Sequence, residues 1–233
     1  GIQNIGQMCF YKCSNLTYIS IPNTIQRMYS YCFQLCKNLT TVSFASNSIL
    51  TEIPSGCFSG CSSLASISIP DSVENIGNTA FASCYNLHTV SINYLSSNIT
   101  TLNMGAFGDC YKLSNIVLPK AILSIDLFAF ENCQSLKSLI IPNCVQYISS
   151  ACFRGCTSLT EVTFTGNSQG SLNVGYQAFK NCSSLKTVNI NKYKNINFDE
   201  KAFADCTSLT TVNYPKATYN GNNINVLDGI AFS

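Results

Sequence analysis

One pattern of apolar residues recurs along this chain of 233 residues. Each copy has a Phe, a Cys three residues after it, a Leu six after it, and apolar residues nine and eleven after it. Neighbouring copies are 23–29 residues apart, and a unit of this size cannot bury its apolar face alone. The repeat therefore predicts a solenoid whose turns stack on one another. The copies begin at Phe10, Phe33, Phe58, Phe81, Phe107, Phe130, Phe153, Phe179, Phe203 and, for a tenth that opens near the end, Phe232.

Each copy is predicted to contain two extended segments and a bend. The stretch from the Leu to the last apolar residue, such as residues 159–164, alternates like a half-buried strand. An apolar residue five before every Phe indicates a second, shorter strand, and Ala-Phe-x-x-Cys is predicted to form a single helical turn. Strands of successive copies should stack in parallel. Proline lacks the amide hydrogen that a strand ladder needs, and five of the six prolines directly follow the main strand: Pro22, Pro70, Pro119, Pro142 and Pro215.

These segments predict a single β-rich α/β solenoid domain over residues 1–233, with nine to ten repeats. Because the chain opens at Gly1 and stops at Ser233 in mid-repeat, both ends are expected to be truncated. The longer copies carry their extra residues after the main strand, at residues 45–50, 94–99, 165–172 and 217–226. Such insertions are expected to bulge from one edge of the solenoid, where repeat proteins often gain specificity.

The cysteines follow the repeat. Of fourteen, nine occupy the position three after the Phe, and Cys9, Cys32, Cys57 and Cys152 directly precede it, where other copies have Ala. A residue that alternates with Ala is expected to be a small buried group. No Cys-x-x-Cys pair is present, so neither a metal nor a cofactor is expected. Equivalent cysteines in adjacent copies could approach disulfide distance, but parallel inward side chains favour free thiols.

Charge and motifs argue against several functions. Charged residues make up 10% of the chain and the net charge is +2, which gives no footprint for nucleic acid or an anionic membrane. No apolar run is long enough to predict a membrane span. The single histidine, His88, takes a position that is Thr, Lys or Ala in other copies, so it is predicted to lie on the surface. No catalytic motif appears, and no enzyme activity is expected. Four Asn-x-Ser/Thr sequons occur, at Asn15, Asn38, Asn98 and Asn181.

The repeat resembles a known family. The consensus Ala-Phe-x-x-Cys-x-Ser-Leu-Thr-x-Val-x-Ile-Pro-x-Ser-Val-x-x-Ile-Gly, nearly complete from Phe58 to Gly77 and again around Phe153, is similar to the BspA-like leucine-rich repeat. The resemblance implies a right-handed superhelix with parallel strands on its concave face. It also implies a cell-surface or secreted protein, since members are typically surface proteins of anaerobic bacteria and mucosal protists and several are implicated in adhesion. A non-enzymatic module that binds a host-surface or matrix protein is the expected function.

The outward residues of the main strand offer candidate binding positions. The column ten after each Phe is polar except at Val117 and Ile140, which would place two apolar side chains side by side on a polar face. We therefore predict a ligand site centred on this pair. The other candidate residues are Tyr18, Ser91, Asn115, Ser138, Glu161 and Thr163.

Three other interpretations remain open. The polar columns could reflect only strand propensity and solubility. The chain could instead be a structural protein that associates end to end through apolar residues of its last copy, such as Ile230 and Phe232. An intracellular scaffold is the third interpretation, because free thiols suit the cytoplasm.

Overall fold

The structure is a computed structural model that describes residues 1–167, 169–191 and 193–213. Over these residues the chain forms a parallel β-solenoid of nine turns, and each turn, or rung, contains one of the nine repeat Phe residues from Phe10 to Phe203. We number the rungs 1 to 9 in chain order. The tenth copy at Phe232, the insertion at 217–226, Pro215 and Ile230 lie outside the described residues.

Each rung has a short minor strand before its Phe and a main strand after its Leu, so odd-numbered strands are minor and even-numbered strands are main. All strand pairs are parallel and join adjacent rungs, as the repeat predicted. In chain order the strands are β1 (Asn4–Ile5), β2 (Tyr18–Ile21), β3 (Arg27–Met28), β4 (Thr41–Phe44), β5 (Glu52–Ile53), β6 (Ser66–Ser68), β7 (Asn75–Ile76), β8 (Thr89–Ser91), β9 (Thr101–Leu102), β10 (Asn115–Ile116), β11 (Ser124–Ile125), β12 (Ser138–Ile141), β13 (Tyr147–Ile148), β14 (Glu161–Phe164), β15 (Ser171–Val174), β16 (Thr187–Ile190), β17 (Asn195–Phe198) and β18 (Thr211–Asn213).

The repeat Phe residues form one continuous stack through the core. Consecutive ring centroids are 5.0–5.5 Å apart and the rings are within 12° of parallel. From Phe33 onward each ring is buried, together with most of the inward-pointing apolar residues of both strands. Offset stacking and burial of these large side chains stabilise the contact between one rung and the next.

The cysteine three residues after the Phe also joins the rungs. In eight rungs its thiol donates a hydrogen bond of 3.0–3.3 Å to the carbonyl of the Phe in the preceding rung. Alanine cannot make this bond, which explains why this position is always Cys while the position before the Phe alternates between Cys and Ala. Most of these thiols are buried, as predicted, and all fourteen cysteines are free. Cys32 and Cys57, which precede the Phe in rungs 2 and 3, have sulfurs 3.4 Å apart.

The predicted helical turn at Ala-Phe-x-x-Cys is wrong, since this segment is a series of tight turns and the described residues contain no helix. In rung 3 the Phe58 N–H donates to Ala80 O in rung 4 at 2.8 Å, whereas its neighbour Cys57 donates to Pro54 O within the turn. A helix directs every amide along its own axis and could not supply the bonds between rungs. The alternation requires positive φ two residues before and two after the Phe in all nine rungs, as at Gly56 (62°) and Leu35 (59°).

Both interruptions of the main sheet lie where a proline directly follows the main strand. Where the residue twelve after the Phe has an amide, as at Ala45, Thr165 and Asn191, that amide donates to the end of the preceding main strand at 3.0 Å. In rungs 3 and 6 this residue is Pro70 or Pro142, which has no N–H to donate. The main sheet is interrupted at those two places, between β4 and β6 and between β10 and β12. Pro119 takes the same position in rung 5, yet β8 and β10 still pair, so a proline here accompanies an interruption but is not sufficient for one.

The minor sheet follows the same rule. Gly77 N–H donates to Ile53 O of the preceding minor strand at 2.8 Å, but the equivalent residue one rung earlier is Pro54. The minor sheet is accordingly divided between β3 and β5, and its remaining seven strands are continuous. Rungs 2 and 3 are thus joined by neither sheet, and their remaining backbone bonds include the turn contact from Phe33 N–H to Cys57 O at 2.9 Å.

Candidate functional site

A cleft of about 590 Å³ opens where β10 and β12 fail to pair, and we call it the rung 5–6 cleft. Its floor includes Val117 and Ile140, whose side chains are 51% and 63% exposed. Tyr94 and Thr165, from the insertions of rungs 4 and 7, line its sides. The intervening rungs carry no insertion, so the cleft is a recess between two longer loops.

The exposure of the floor follows from strand alternation. Ile116 and Leu118 are 5% and 2% exposed, so the residue between them, Val117, must point to the opposite face. Ile140 lies between two buried residues in the same way. Two exposed aliphatic side chains on adjacent rungs make a small apolar patch where the other rungs present Ser, Thr or Asn.

The rim of the rung 5–6 cleft is polar. Five of its exposed residues make no side-chain hydrogen bond or ion pair with any other residue that the structure describes: Tyr94, Asn115, Lys120, Ser138 and Asn143. Their donors and acceptors face solvent and are available to a ligand. Lys120 is the one charged residue among those that line the cleft.

The turn that carries Lys120 is fixed on two sides. Lys120 N–H donates to Tyr94 O of the neighbouring insertion at 3.0 Å. The thiol of Cys144 lies 2.7 Å from Lys120 O and 2.9 Å from Ile122 O, so it donates to the backbone of this turn. Cys144 is the one cysteine that falls outside the repeat positions, and its contacts give it a separate role beside the cleft.

Four of the predicted site residues meet in this cleft: Val117, Ile140, Asn115 and Ser138. Glu161 and Thr163 lie on β14, one rung further along, where they pair in register with Ser138 and Ile140. Ser91 ends β8, on the other side of β10. Tyr18 lies on β2 in rung 1 and does not line the cleft.

Several polar residues outside the cleft are bonded to one another. Asn189 Nδ2 donates to Glu161 Oε1 at 2.5 Å and to Thr163 Oγ1 at 3.3 Å, and Asn213 donates to Asn189 at 2.8 Å. The hydroxyls of Tyr18 and Ser43 are 3.2 Å apart, and hydrogen bonding by Ser43 and then Ser20 lowers the pKa of the Tyr18 phenol. These polar groups already have partners in the fold, in contrast to the rim of the cleft.

Sequence reasoning missed Tyr94, Lys120, Asn143 and Thr165 as lining residues. The signal for them was present in two features considered separately, the insertions after β8 and β14 and the prolines after the main strands. Only the stacking of rungs brings a loop of rung 4 and a loop of rung 7 to the same recess.

The remaining candidate groups do not form a reactive site. His88 is exposed, with Nδ1 3.0 Å from Asn86 O, and the four sequon asparagines are exposed. Burial raises the pKa of the Cys36 thiol to about 11 and raises that of Cys84 well above its ordinary value, so these two thiols are protonated at neutral pH. Across the described ranges, no group of three or more His, Cys, Asp or Glu residues is placed to hold a metal ion.

As to membrane-spanning segments, a search of the described residues finds no helix with the length and apolar character to cross a bilayer.

Solved structures similar to this one include bacterial leucine-rich repeat proteins. A leucine-rich repeat protein from Bacteroides ovatus is 26% identical, with a TM-score of 0.54 over 92% of this chain and 64% of that one. The pneumococcal vaccine antigen PcpA is 18% identical, with a TM-score of 0.50 over 91% of this chain and 60% of that one, a likeness of fold. The chain therefore spans less than two thirds of the length of either relative. No curated protein matches it.

The repeats themselves match a family description over most of the chain. Residues 1–101 and 90–210 match the BspA type leucine rich repeat region in six copies. This agrees with the nine stacked rungs, the parallel strands and the repeated Phe and Cys positions. The chain belongs to the BspA-type leucine-rich repeat family.

Proposed function

We propose that this protein is a non-enzymatic binding module displayed at a cell surface, and that it holds a protein partner in the rung 5–6 cleft. The observation that carries the proposal is the exposure of Val117 and Ile140 side by side in a recess on a polar face. An apolar centre with a polar rim is the usual arrangement of a protein-binding site.

The magnitude of the effect supports a binding role for this pair. Full burial of a Val or Ile side chain contributes roughly 1.5–3 kcal/mol, and both side chains here have more than half of their surface still to bury. A partner that covers both would gain on the order of 2 kcal/mol from them alone. The flanking insertions offer further contact area, and loops of this kind commonly carry specificity.

Display at a cell surface and adhesion to a host or matrix protein are inferred from the family. BspA-like proteins are typically surface or secreted proteins, and several are implicated in adhesion. The composition of the chain is compatible with this role, since its polar face depends on neutral Ser, Thr and Asn.

The test is to replace both floor residues and measure binding of the purified chain to immobilised fibronectin, laminin and collagen and to epithelial cells. We expect Val117→Ser with Ile140→Ser to weaken binding to the true partner roughly 10-fold or more. Ser43→Ala with Ser68→Ala is the matched control, because these residues take the same repeat position at the other interruption of the main sheet. Unchanged binding of the double Ser variant to every partner that the native chain binds would overturn the proposal.

A further inference from the structure

We infer that the rung 5–6 cleft takes an extended peptide segment in which a bulky apolar side chain is followed closely by a carboxylate. This inference rests on the proposed function and names the chemistry of the partner. It combines the apolar floor with two features that the family does not explain, an unpaired cation and a set of unengaged polar groups at the rim.

The charge at the cleft favours an anion. Lys120 lines the cleft and is exposed, and no carboxylate of a described residue lies within ion-pair distance of its ammonium group. No acidic residue is among those that line the cleft. A carboxylate placed beside the apolar floor would therefore meet one unneutralised positive charge and no repulsion from the lining.

The polar rim favours a peptide over a purely apolar ligand. The amides of Asn115 and Asn143 and the hydroxyls of Tyr94 and Ser138 have no intramolecular partner among the described residues. An amide offers both a donor and an acceptor, which is what the backbone of an extended peptide requires. The volume of about 590 Å³ lies within the roughly 300–1,000 Å³ of small-ligand sites and suits a short segment.

The backbone that carries the cation is held in place before a ligand arrives. The one thiol hydrogen of Cys144 is shared between the carbonyls on both sides of Ala121, and Lys120 N–H is bonded to Tyr94 O. The backbone beneath Lys120 is therefore braced, although its side chain is free. Preorganisation of this kind lowers the entropic cost of binding.

A second cleft in the same molecule has the opposite character. The rung 2–3 cleft, of about 440 Å³, lies at the interruption between β4 and β6 and is lined by Ser43, Ser68 and Asp71. Asp71 accepts hydrogen bonds from Asn93 at 3.3 Å and from Ser96 at 2.8 Å, so its charge is already engaged. This cleft offers neither an apolar floor nor a free cation and serves as an internal control.

The test is an NMR titration of the full chain, with labelled Val and Ile methyl groups, using three probes. N-acetylphenylalanine has an apolar ring and a free carboxylate, N-acetylphenylalaninamide has the ring without the charge, and acetate has the charge without the ring. We expect the acid to shift the Val117 and Ile140 methyl signals saturably and to bind roughly 2- to 5-fold more tightly than the amide, as one exposed ion pair allows. Acetate alone should leave both signals unchanged.

Lys120→Gln should remove the difference between acid and amide while both still bind, whereas Val117→Ser with Ile140→Ser should abolish binding of both. Methyl signals elsewhere in the core report whether each variant remains folded. Equal binding of acid and amide at the two methyl groups of the native chain would overturn the anionic specificity and leave the proposed function standing. Shifts confined to other parts of the chain, or no shift, would overturn the peptide inference, whereas the proposed function depends on the separate partner-binding assay.

Discussion

The two clefts in the main sheet lie at the same kind of interruption, where a proline follows the main strand. They differ in the residues that line them. Pro70 lies at the interruption between β4 and β6, and Pro142 lies at the one between β10 and β12. Ser43 and Ser68 stand where the second cleft has Val117 and Ile140. The charged residue that lines the first is an aspartate and the one that lines the second is Lys120.

The difference shows that the repeat and the residues it leaves free have separate effects. A proline at one repeat position removes a single amide and accompanies both openings of the sheet, although Pro119 at the same position leaves β8 and β10 paired. The outward residues and the loops determine what the opening can bind. In the rung 2–3 cleft Ser43 and Asp71 already bond to residues outside the cleft, and in the rung 5–6 cleft the polar groups of the rim remain available, which makes the second the better candidate for a binding site.

The largest expected effect is a loss of stability at alkaline pH, because both clefts depend on one core that contains buried thiols. Burial raises the pKa of eight core thiols above the ordinary thiol value of about 8.5. Above that pH the unfolded chain loses thiol protons that the folded chain keeps, so the folded state is progressively destabilised. Each thiol contributes up to ~1.4 kcal/mol per pH unit, so we expect a loss of several kcal/mol by about pH 10. The eight are Cys36, Cys57, Cys61, Cys84, Cys110, Cys133, Cys152 and Cys182.

Urea unfolding in a reducing agent, followed by circular dichroism at neutral and alkaline pH, measures this loss. A Cys133→Ala variant has one fewer buried thiol and should lose less stability between the two pH values. Equal stability at neutral pH and at about pH 10 would contradict the burial argument.

The second prediction attempts to convert one cleft into the other. Ser43→Val, Ser68→Ile and Asp71→Lys together should give the rung 2–3 cleft an apolar floor and a cation. We expect the triple variant to bind N-acetylphenylalanine at a second site with an affinity within roughly 10-fold of the natural one. Isothermal titration would report one added site, and the same three positions changed to Ala supply the control. Failure to gain a site would show that the insertions, and not the floor, dominate binding.

The third prediction loosens the turn beneath the cation. Cys144→Ala removes the thiol that bonds to Lys120 O and Ile122 O, and we expect a loss of about 1 kcal/mol in the free energy of unfolding. The preference for acid over amide probes should also shrink. Cys144→Ser retains a donor and is the matched control. If alanine and serine variants behave alike, the brace is not made by the hydrogen bonds.

The smallest expected change in stability comes from replacing Pro142, which tests whether this proline causes the interruption between β10 and β12. Pro142→Ala supplies an amide that can donate to Leu118 O, which is worth about 0.5–1.5 kcal/mol, but the more flexible unfolded chain offsets about 0.4–1 kcal/mol. The net change should stay within about 1 kcal/mol while β12 joins β10 and the cleft narrows. Hydrogen exchange at residue 142 and weaker probe binding would reveal the closure. Pro70→Ala, at the other interruption, should leave probe binding unchanged.

Much of the core could be predicted from the sequence because it depends on positions that repeat. The strands, the buried Phe and Cys residues and the exposure of Val117 and Ile140 agree with the alternation of apolar residues. The sequence could not reveal that Ala-Phe-x-x-Cys does not form a helical turn. The positive φ values that exclude a helix fall on residues as different as Met8, Leu35 and Lys201. Bonds between rungs impose that conformation, and a pattern within one repeat does not contain them.

The cleft could be predicted only in part. Val117 and Ile140 are the two apolar residues at a repeat position, ten after the Phe, that is otherwise polar, and the sequence alone reveals this difference. Lys120 and Tyr94 come from loops of different length, which have no common register until the rungs stack. The Cys144 brace is likewise a contact between rungs 5 and 6, and its position outside the repeat was the one hint of a separate role.

The proline rule has a consequence for how such proteins diversify. The residue twelve after the Phe contributes no side chain to the Phe stack, so exchanging proline for another residue there alters the sheet and spares the core. At the interruptions beside Pro70 and Pro142, one codon is then expected to open or close the surface between two neighbouring turns, whereas Pro119 leaves β8 and β10 paired. Along a lineage, a binding site could move from one end of the solenoid to the other through such exchanges, each nearly neutral for folding, while the interior stayed the same.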